Sequence, residues 1–170
     1  MRFLLGRAAD ALLNLCLVPP LRTVLLRMLG AKIGPDAVIH DVRLINFYRG
    51  SYRNLRLGRE VFVGQECLFD LADRITVGSR VTFAPRVIVL THLNVGYPDH
   101  PLQEFFPANT GEVHIGDGVF IGAASMIMGG VTIGPGTFVC AGAVVTDSVP
   151  GGVMVGGVPA KILRTLETGQ

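Results

Sequence analysis

Residues 115–149 read IGDGVF-IGAASM-IMGGVT-IGPGTF-VCAGAV-VTDSV when broken into sixes. An aliphatic residue returns at Ile115, Ile121, Ile127, Ile133, Val139 and Val145. Four places after each of them stands Val119, Ser125, Val131, Thr137, Ala143 or Val149. Each of these small residues precedes the next aliphatic one by two positions, so in extended backbone both face the same side. The positions between are rich in Gly, Asp and Pro, which is turn chemistry. One unit is therefore a short strand plus a bend, and alone it cannot bury its apolar face. Stacked coils can, so the spacing predicts an all-β chain wound as a parallel β-helix.

Outward from that stretch, the same phase begins at Ile33 and continues at Ile39 and Ile45. It misses at Ser51 and resumes at Leu57, Val63 and Phe69. The missed turn is expected to be built but irregular, with Tyr48, Arg49, Tyr52 and Arg53 outside. Between Phe69 and Val77 two residues are inserted at a corner near 71–74; Val77, Phe83 and Val89 restore the sixes. The rhythm then stops until Ile115. The interval carries Pro98, Pro101 and Pro107 with aromatics at Tyr97, Phe105 and Phe106. A break of this length in a regular solenoid reads as a functional loop, because a packed coil has few places for chemistry. The expected organisation is residues 1–30 as an N-terminal helical segment, 31–158 as the coil with a loop at 91–114, and 159–170 as a short C-terminal helix and tail starting near Pro159.

A chain of 170 residues is one domain with room for a core. Its 49% hydrophobic and 16% charged residues suit an aliphatic-filled column, and a net charge of +2 gives no argument for nucleic acid. Cys16, Cys67 and Cys140 are odd in number and lack a C-x-x-C pair, so they read as core thiols in a reducing, cytoplasmic compartment. Residues 3–29 are apolar but interrupted by Arg7, Asp10, Pro19, Pro20, Arg22 and Arg27, which excludes a membrane span and a signal-peptide core. They read as two helices, about 3–17 and 20–29, with Leu21, Val24, Leu25 and Met28 on one face of the second. Two roles fit: a cap on the open end of the coil, or an interfacial anchor at the inner face of a membrane.

No cluster of histidines has metal-ligand spacing, and no metal is expected. His40 and His114 read as surface residues, and His100 lies in the loop within reach of a substrate. His92 follows the inward Val89 where the coil opens into the loop, so a titratable imidazole stands at a wall where a general base could work. Asp70 and Asp73, at the inserted corner, read first as turn-capping residues, with Asp70 also a candidate for substrate binding.

The hexads, Thr91-His92, the loop, and the closing GGVTIGPGTFVCAGAVVTDSVPGGVMVGGVPAKILR together resemble the bacterial hexapeptide-repeat acyltransferases, in particular the galactoside/maltose O-acetyltransferases and the polysaccharide-biosynthesis acetyltransferases. The likeness covers about 25–166. It implies a left-handed coil, against the usual right-handed crossover preference. It also implies a homotrimer with active sites between subunits, acetyl-CoA as cosubstrate and a sugar or glycolipid acceptor. The family's catalytic base matches His92. Its CoA contacts match Ala123, Ala141, Gly142, Thr146, Lys161 and Arg164. Phe120 stands for an indole near the acceptor pocket, and Asn94 for a second histidine of many relatives. Gly64 and Glu66 replace acceptor-binding asparagines, and Asp147 replaces a lysine, so the resemblance carries over the transfer chemistry but not the identity of the acceptor. The resemblance implies O-acetylation in surface polysaccharide assembly. Transfer to the nitrogen of an amino sugar would need the same base and cofactor. A zinc hydratase on this fold would need His92, His100 and His114 to converge.

Overall fold

Three walls of short parallel strands enclose a single column of aliphatic side chains. The structure, a computed structural model, describes residues 18–166. Wall A stacks strands 32–33, 55–57, 75–77, 113–115 and 132–133; wall C stacks 42–45, 67–70, 88–89, 126–127 and 144–145. Wall B runs 38–39, 62–63, 82–83, 120–121, 138–139 and 153–156. The chain visits A, B and C in turn, so each coil lays one strand on each wall.

The sixfold residues fill the column. Val63, Phe83, Ile121, Val139 and Val155 lie inward on wall B and are fully buried. Phe69, Val89, Ile127 and Val145 do the same on wall C, and the rings of Phe69 and Phe83 meet at 5.1 Å across the interior. Residues four places on pack the corners. The two polar ones keep their hydroxyls satisfied: Ser125 Oγ donates to the Gly122 and Cys140 carbonyls at 2.6 and 3.0 Å, and Thr137 Oγ1 to Pro150 O at 2.9 Å. At the A-to-B corner the coils approach so closely that a Cβ on Gly58 would lie 2.6 Å from the Gly78 carbonyl.

The phase across the irregular turn is kept by compensation. Leu44, not Ile45, pairs with Phe69 and faces inward, while Ile45 pairs with Asp70. Leu44 is one residue early after Ile39, and the segment from Leu44 to Leu57 is one residue longer than two repeats. Nor do all four residues of that turn lie outside: Tyr52 is buried, its ring stacked on Phe47 at 5.1 Å, whereas Tyr48, Arg49 and Arg53 are exposed.

At the N-terminal end, the helix Pro19–Met28 lies across the coil. It buries Arg22, Thr23 and Leu26 rather than the face predicted from the apolar spacing; Leu21, Val24 and Met28 are exposed. Leu26 plugs the column, and Arg27 donates to the carbonyls of Ile33 and Gly34 at 3.0 and 2.7 Å, holding the first bend. The first predicted helix and Cys16 lie outside the described residues. Among the described residues no helix is long and apolar enough to cross a membrane.

The C-terminal helix expected from Pro159 is instead a strand. Lys161–Thr165 pairs antiparallel with Val153–Gly156. The last parallel strand of wall B leaves a row of unpaired peptide groups, and a returning strand satisfies them where a helix would not.

Candidate active site

The one-residue deletion before Leu44 lies at the passage from wall B to wall C. The missed turn, the inserted corner and the loop all fall instead on one corner, the passage from wall C to wall A. The links 45 to 55, 70 to 75 and 89 to 113 lie there on successive coils, below the regular link from 127 to 132. The ends of three stacked wall C strands therefore bring Asn46, Asp70 and His92 together. The loop leaves as a two-stranded antiparallel ribbon, with His92 opposite Thr110 and Leu93 opposite Asn109. Beside it a groove of about 350 Å³ is lined by Thr91, His92, Thr110, Met128, Gly129 and Gly130, among others.

Asp70 is fully buried, and its carboxylate is encircled by donors. Oδ1 accepts from Asn46 Nδ2 at 2.8 Å and from Ala72 N at 3.1 Å. Oδ2 accepts from Thr91 N at 3.0 Å and from His92 Nδ1. Burial alone would push this carboxyl up, but donation from His92, Asn46 and the two peptide N–H groups outweighs it and holds the group below its ordinary range. Thr91 fastens the same corner: its hydroxyl donates to Asp70 O at 2.8 Å and accepts from Asp73 N at 3.0 Å.

An ionised carboxylate can only accept, so the ring nitrogen facing it must carry the proton. The neutral ring of His92 is thereby held as the Nδ1–H tautomer, with its lone pair on Nε2. With its side chain 23% exposed in the groove wall, the imidazole is open on one side and anchored on the other. A carboxylate behind the ring also stabilises the imidazolium that forms when Nε2 takes a proton.

Asp70 is therefore no substrate contact in this chain: it has no exposed surface and its oxygens are already engaged. The sequence placed it at the right corner but could not show the strand stacking that sets it under His92. Asn46 was not singled out at all; its only trace was the missed repeat that follows it. His100 lies in the loop, where its Nδ1 accepts from Leu102 N at 3.1 Å, and Asn94 Oδ1 closes a turn with Gly96 N at 2.9 Å. Both sit beyond the ribbon, on the same excursion as His92. His114 is on wall A, with Nε2 3.2 Å from Glu112, so the three histidines do not converge within one chain. Among the described residues no group of three or more His, Cys, Asp or Glu could hold a metal.

The remaining candidates lie elsewhere on the column. Ala123 and Gly142 stack at the B-to-C corner, with Gly142 N donating to Ala123 O at 2.8 Å and Ala141 beside them. Thr146 is exposed after the last wall C strand, its hydroxyl 2.9 Å from Asp147. Lys161 and Arg164 project from the returning strand on wall B. Phe120 is also on wall B, its ring stacked on Phe138 at 4.8 Å. Within one chain, Ala123, Ala141 and Gly142 are thus a full wall away from His92. Glu66 is held by Arg86 at 2.7 Å, and Gly64 is buried.

Comparison with known proteins places this geometry. Residues 112–147 match the family described as bacterial transferase hexapeptide (six repeats). The chain is 35% identical over 119 residues to an acetyltransferase, so named, of Schizosaccharomyces pombe, covering 67% of this chain and only 54% of that relative. It is 32% identical over 143 residues to WcaF of Escherichia coli K12, whose name assigns it to colanic acid biosynthesis as an acetyltransferase; 84% of this chain and 74% of WcaF are covered. Among solved structures, the hexapeptide-repeat acetyltransferase VCA0836 of Vibrio cholerae, complexed with acetyl-CoA, superposes with a TM-score of 0.81 at 28% identity, covering 95% of this chain and 85% of that one. A galactoside acetyltransferase in complex with coenzyme A gives 0.81 at 27% identity, covering 98% and 81%. The column is the left-handed β-helix that the resemblance implied.

Proposed function

Since this chain belongs to the hexapeptide-repeat acetyltransferases, we propose that it moves the acetyl group of acetyl-CoA directly onto a sugar hydroxyl, in the assembly of a surface polysaccharide. The observation that carries this reading is His92 with Nδ1 anchored on Asp70 and its ring in the wall of the groove. Nε2 takes the proton of the acceptor hydroxyl as that oxygen attacks the thioester carbonyl carbon. Peptide N–H groups stabilise the oxyanion, the carbon–sulfur bond breaks, and coenzyme A leaves as its thiolate. The names of WcaF and of the galactoside acetyltransferase support a carbohydrate acceptor.

The active unit is a homotrimer with acetyl-CoA between subunits. Outward residues on wall C are Leu68, Ile88, Met126 and Val144 after Arg43 on the first coil, and on wall B Val38, Phe62, Phe120, Phe138 and Met154 with Thr82 among them. Wall A instead presents Lys32, Arg56, Thr76, His114 and Thr132. Two apolar faces and one polar face suit two neighbours and one solvent side. The separation of His92 from Ala123, Ala141 and Gly142 within one chain fits a site shared between copies. Lys161 and Arg164 supply charge for the phosphates of the cofactor, and Phe120, Asn94 and His100 form the acceptor side.

The test follows coenzyme A release with a thiol-trapping dye, with acetyl-CoA and candidate sugars. Release should require an acceptor, and His92→Ala should lower it about 10²–10⁴-fold. Equal release by the variant would remove His92 from the mechanism.

A further inference from the structure

We propose that Asn46 is a positioning residue for the transfer reaction, acting on His92 through Asp70, and that Tyr48 fixes the orientation in which it does so; this rests on His92 being the base. Asn46 Nδ2 donates to Asp70 Oδ1 at 2.8 Å and lies 3.4 Å from His92 Nδ1, so it flanks the pair rather than bonding the ring. Two N–H donors converge there on one carboxylate. An amide presents its nitrogen on one side and its oxygen on the other, and a flip would set its oxygen against Asp70. The Tyr48 hydroxyl donates to Asn46 Oδ1 at 3.1 Å and so selects the productive face. The relay runs from a half-exposed phenol at the surface to the base.

The backbone is shaped to deliver this residue. Asn46 has φ +58°, a left-handed conformation that Asn tolerates better than most residues. It follows the pair Leu44–Ile45, where the repeat comes one residue early, and Leu71 N donates to Ile45 O at 2.9 Å to hold the next coil directly beneath. The regular coil carries Met128, Gly129 and Gly130 through this corner. The break sets an amide over the carboxylate instead, so that Asp70 faces the imidazole with its second oxygen held fixed.

Asn46→Gly keeps the backbone permissive and deletes the amide, while Tyr48→Phe deletes only the hydroxyl. Steady-state kinetics in acetyl-CoA should show kcat lowered about 10- to 100-fold in Asn46→Gly, the worth of one hydrogen bond to a charged group. Tyr48→Phe should lose about 2- to 10-fold, and KM for acetyl-CoA and the melting temperature should hold in both. Nitrogen-15 NMR of the His92 ring should show the Nδ1–H tautomer in the unaltered protein and a mixture in Asn46→Gly. Unchanged kcat in Asn46→Gly beside an inactive His92→Ala would overturn the role of Asn46 and leave the base in place. A fall in kcat accompanied by a lower melting temperature and a raised KM would also overturn it, by making the residue merely structural. Full activity in His92→Ala would instead sink the reading on which both rest.

Discussion

His92 and Asp70 are separated by 22 residues of chain and by a single coil of the column, and the ring nitrogen Nδ1 of one is bonded to the carboxylate Oδ2 of the other. The contact exists because wall C pairs Phe69 with Val89 in register, which stacks the residues that follow each strand. A buried carboxylate with four donors and an imidazole opening on a groove is a costly arrangement for a coil corner. Its chemical consequence is a neutral imidazole with one defined tautomer.

Replacing Asp70 with Asn should reduce kcat about 10²–10⁴-fold, because the amide can donate to Nδ1 and force the proton onto Nε2. Turnover under saturating acetyl-CoA checks this. Activity close to that of the unaltered protein would separate the tautomer from the chemistry.

The same carboxyl makes stability depend on acid. Its value is held below the unfolded one, so its contribution is complete above the unfolded carboxyl range near 3.9 and is lost as pH falls through the folded value. Denaturant titrations from about pH 6 down to about pH 2 should show a steeper loss in the unaltered protein than in Asp70→Asn.

Burial pushes the Cys67 thiol up to about 11, although peptide N–H groups of Val87 and Arg86 pull the other way. The thiol should stay unreactive to alkylation at about pH 8, where a free cysteine with an ordinary value near 8.5 reacts. Peptide mapping by mass after labelling the native and unfolded protein reads this directly. Because the folded value is the raised one, the stabilising contribution holds below the unfolded value and disappears as pH rises through about 11.

Met126 lies outward on wall C between Ile88 and Val144. A lysine there places a charge in the middle of an apolar column while leaving the interior untouched. Sedimentation should show a trimer for the unaltered protein and a smaller species for Met126→Lys, with transfer activity lost in parallel. A trimer that survives this change would put the subunit contact on another face.

Inside the column, Ile121→Ala should cost about 2–5 kcal/mol, since the residue is fully buried between Phe83 and Val139 on the neighbouring coils. Gly58→Ala should also destabilise, for the opposite reason: the added carbon meets the Gly78 carbonyl at 2.6 Å. Urea unfolding of the two variants against the unaltered protein measures both.

Periodicity alone determined that Ile121, Ile127, Ile133 and their equivalents face one interior, because a period of six with turn residues between leaves no other way to bury them. It also marked where the rhythm fails, and hence the loop and His92. It misassigned Ile45, since a deletion and a compensating insertion cancel in any count of sixes. It took the last segment for a helix, since nothing local shows that the edge of wall B is unpaired. It read Asp70 as a turn-capping residue, which the bond from Ala72 N bears out, but it missed the bond to His92, and it passed over Asn46. Those residues acquire their roles only from register: which strand ends stack on which, and which irregular turns share a corner. The repeat is a local property carried by each unit, whereas the relay through Asn46, Asp70 and His92 is assembled from three coils and exists only once they are stacked.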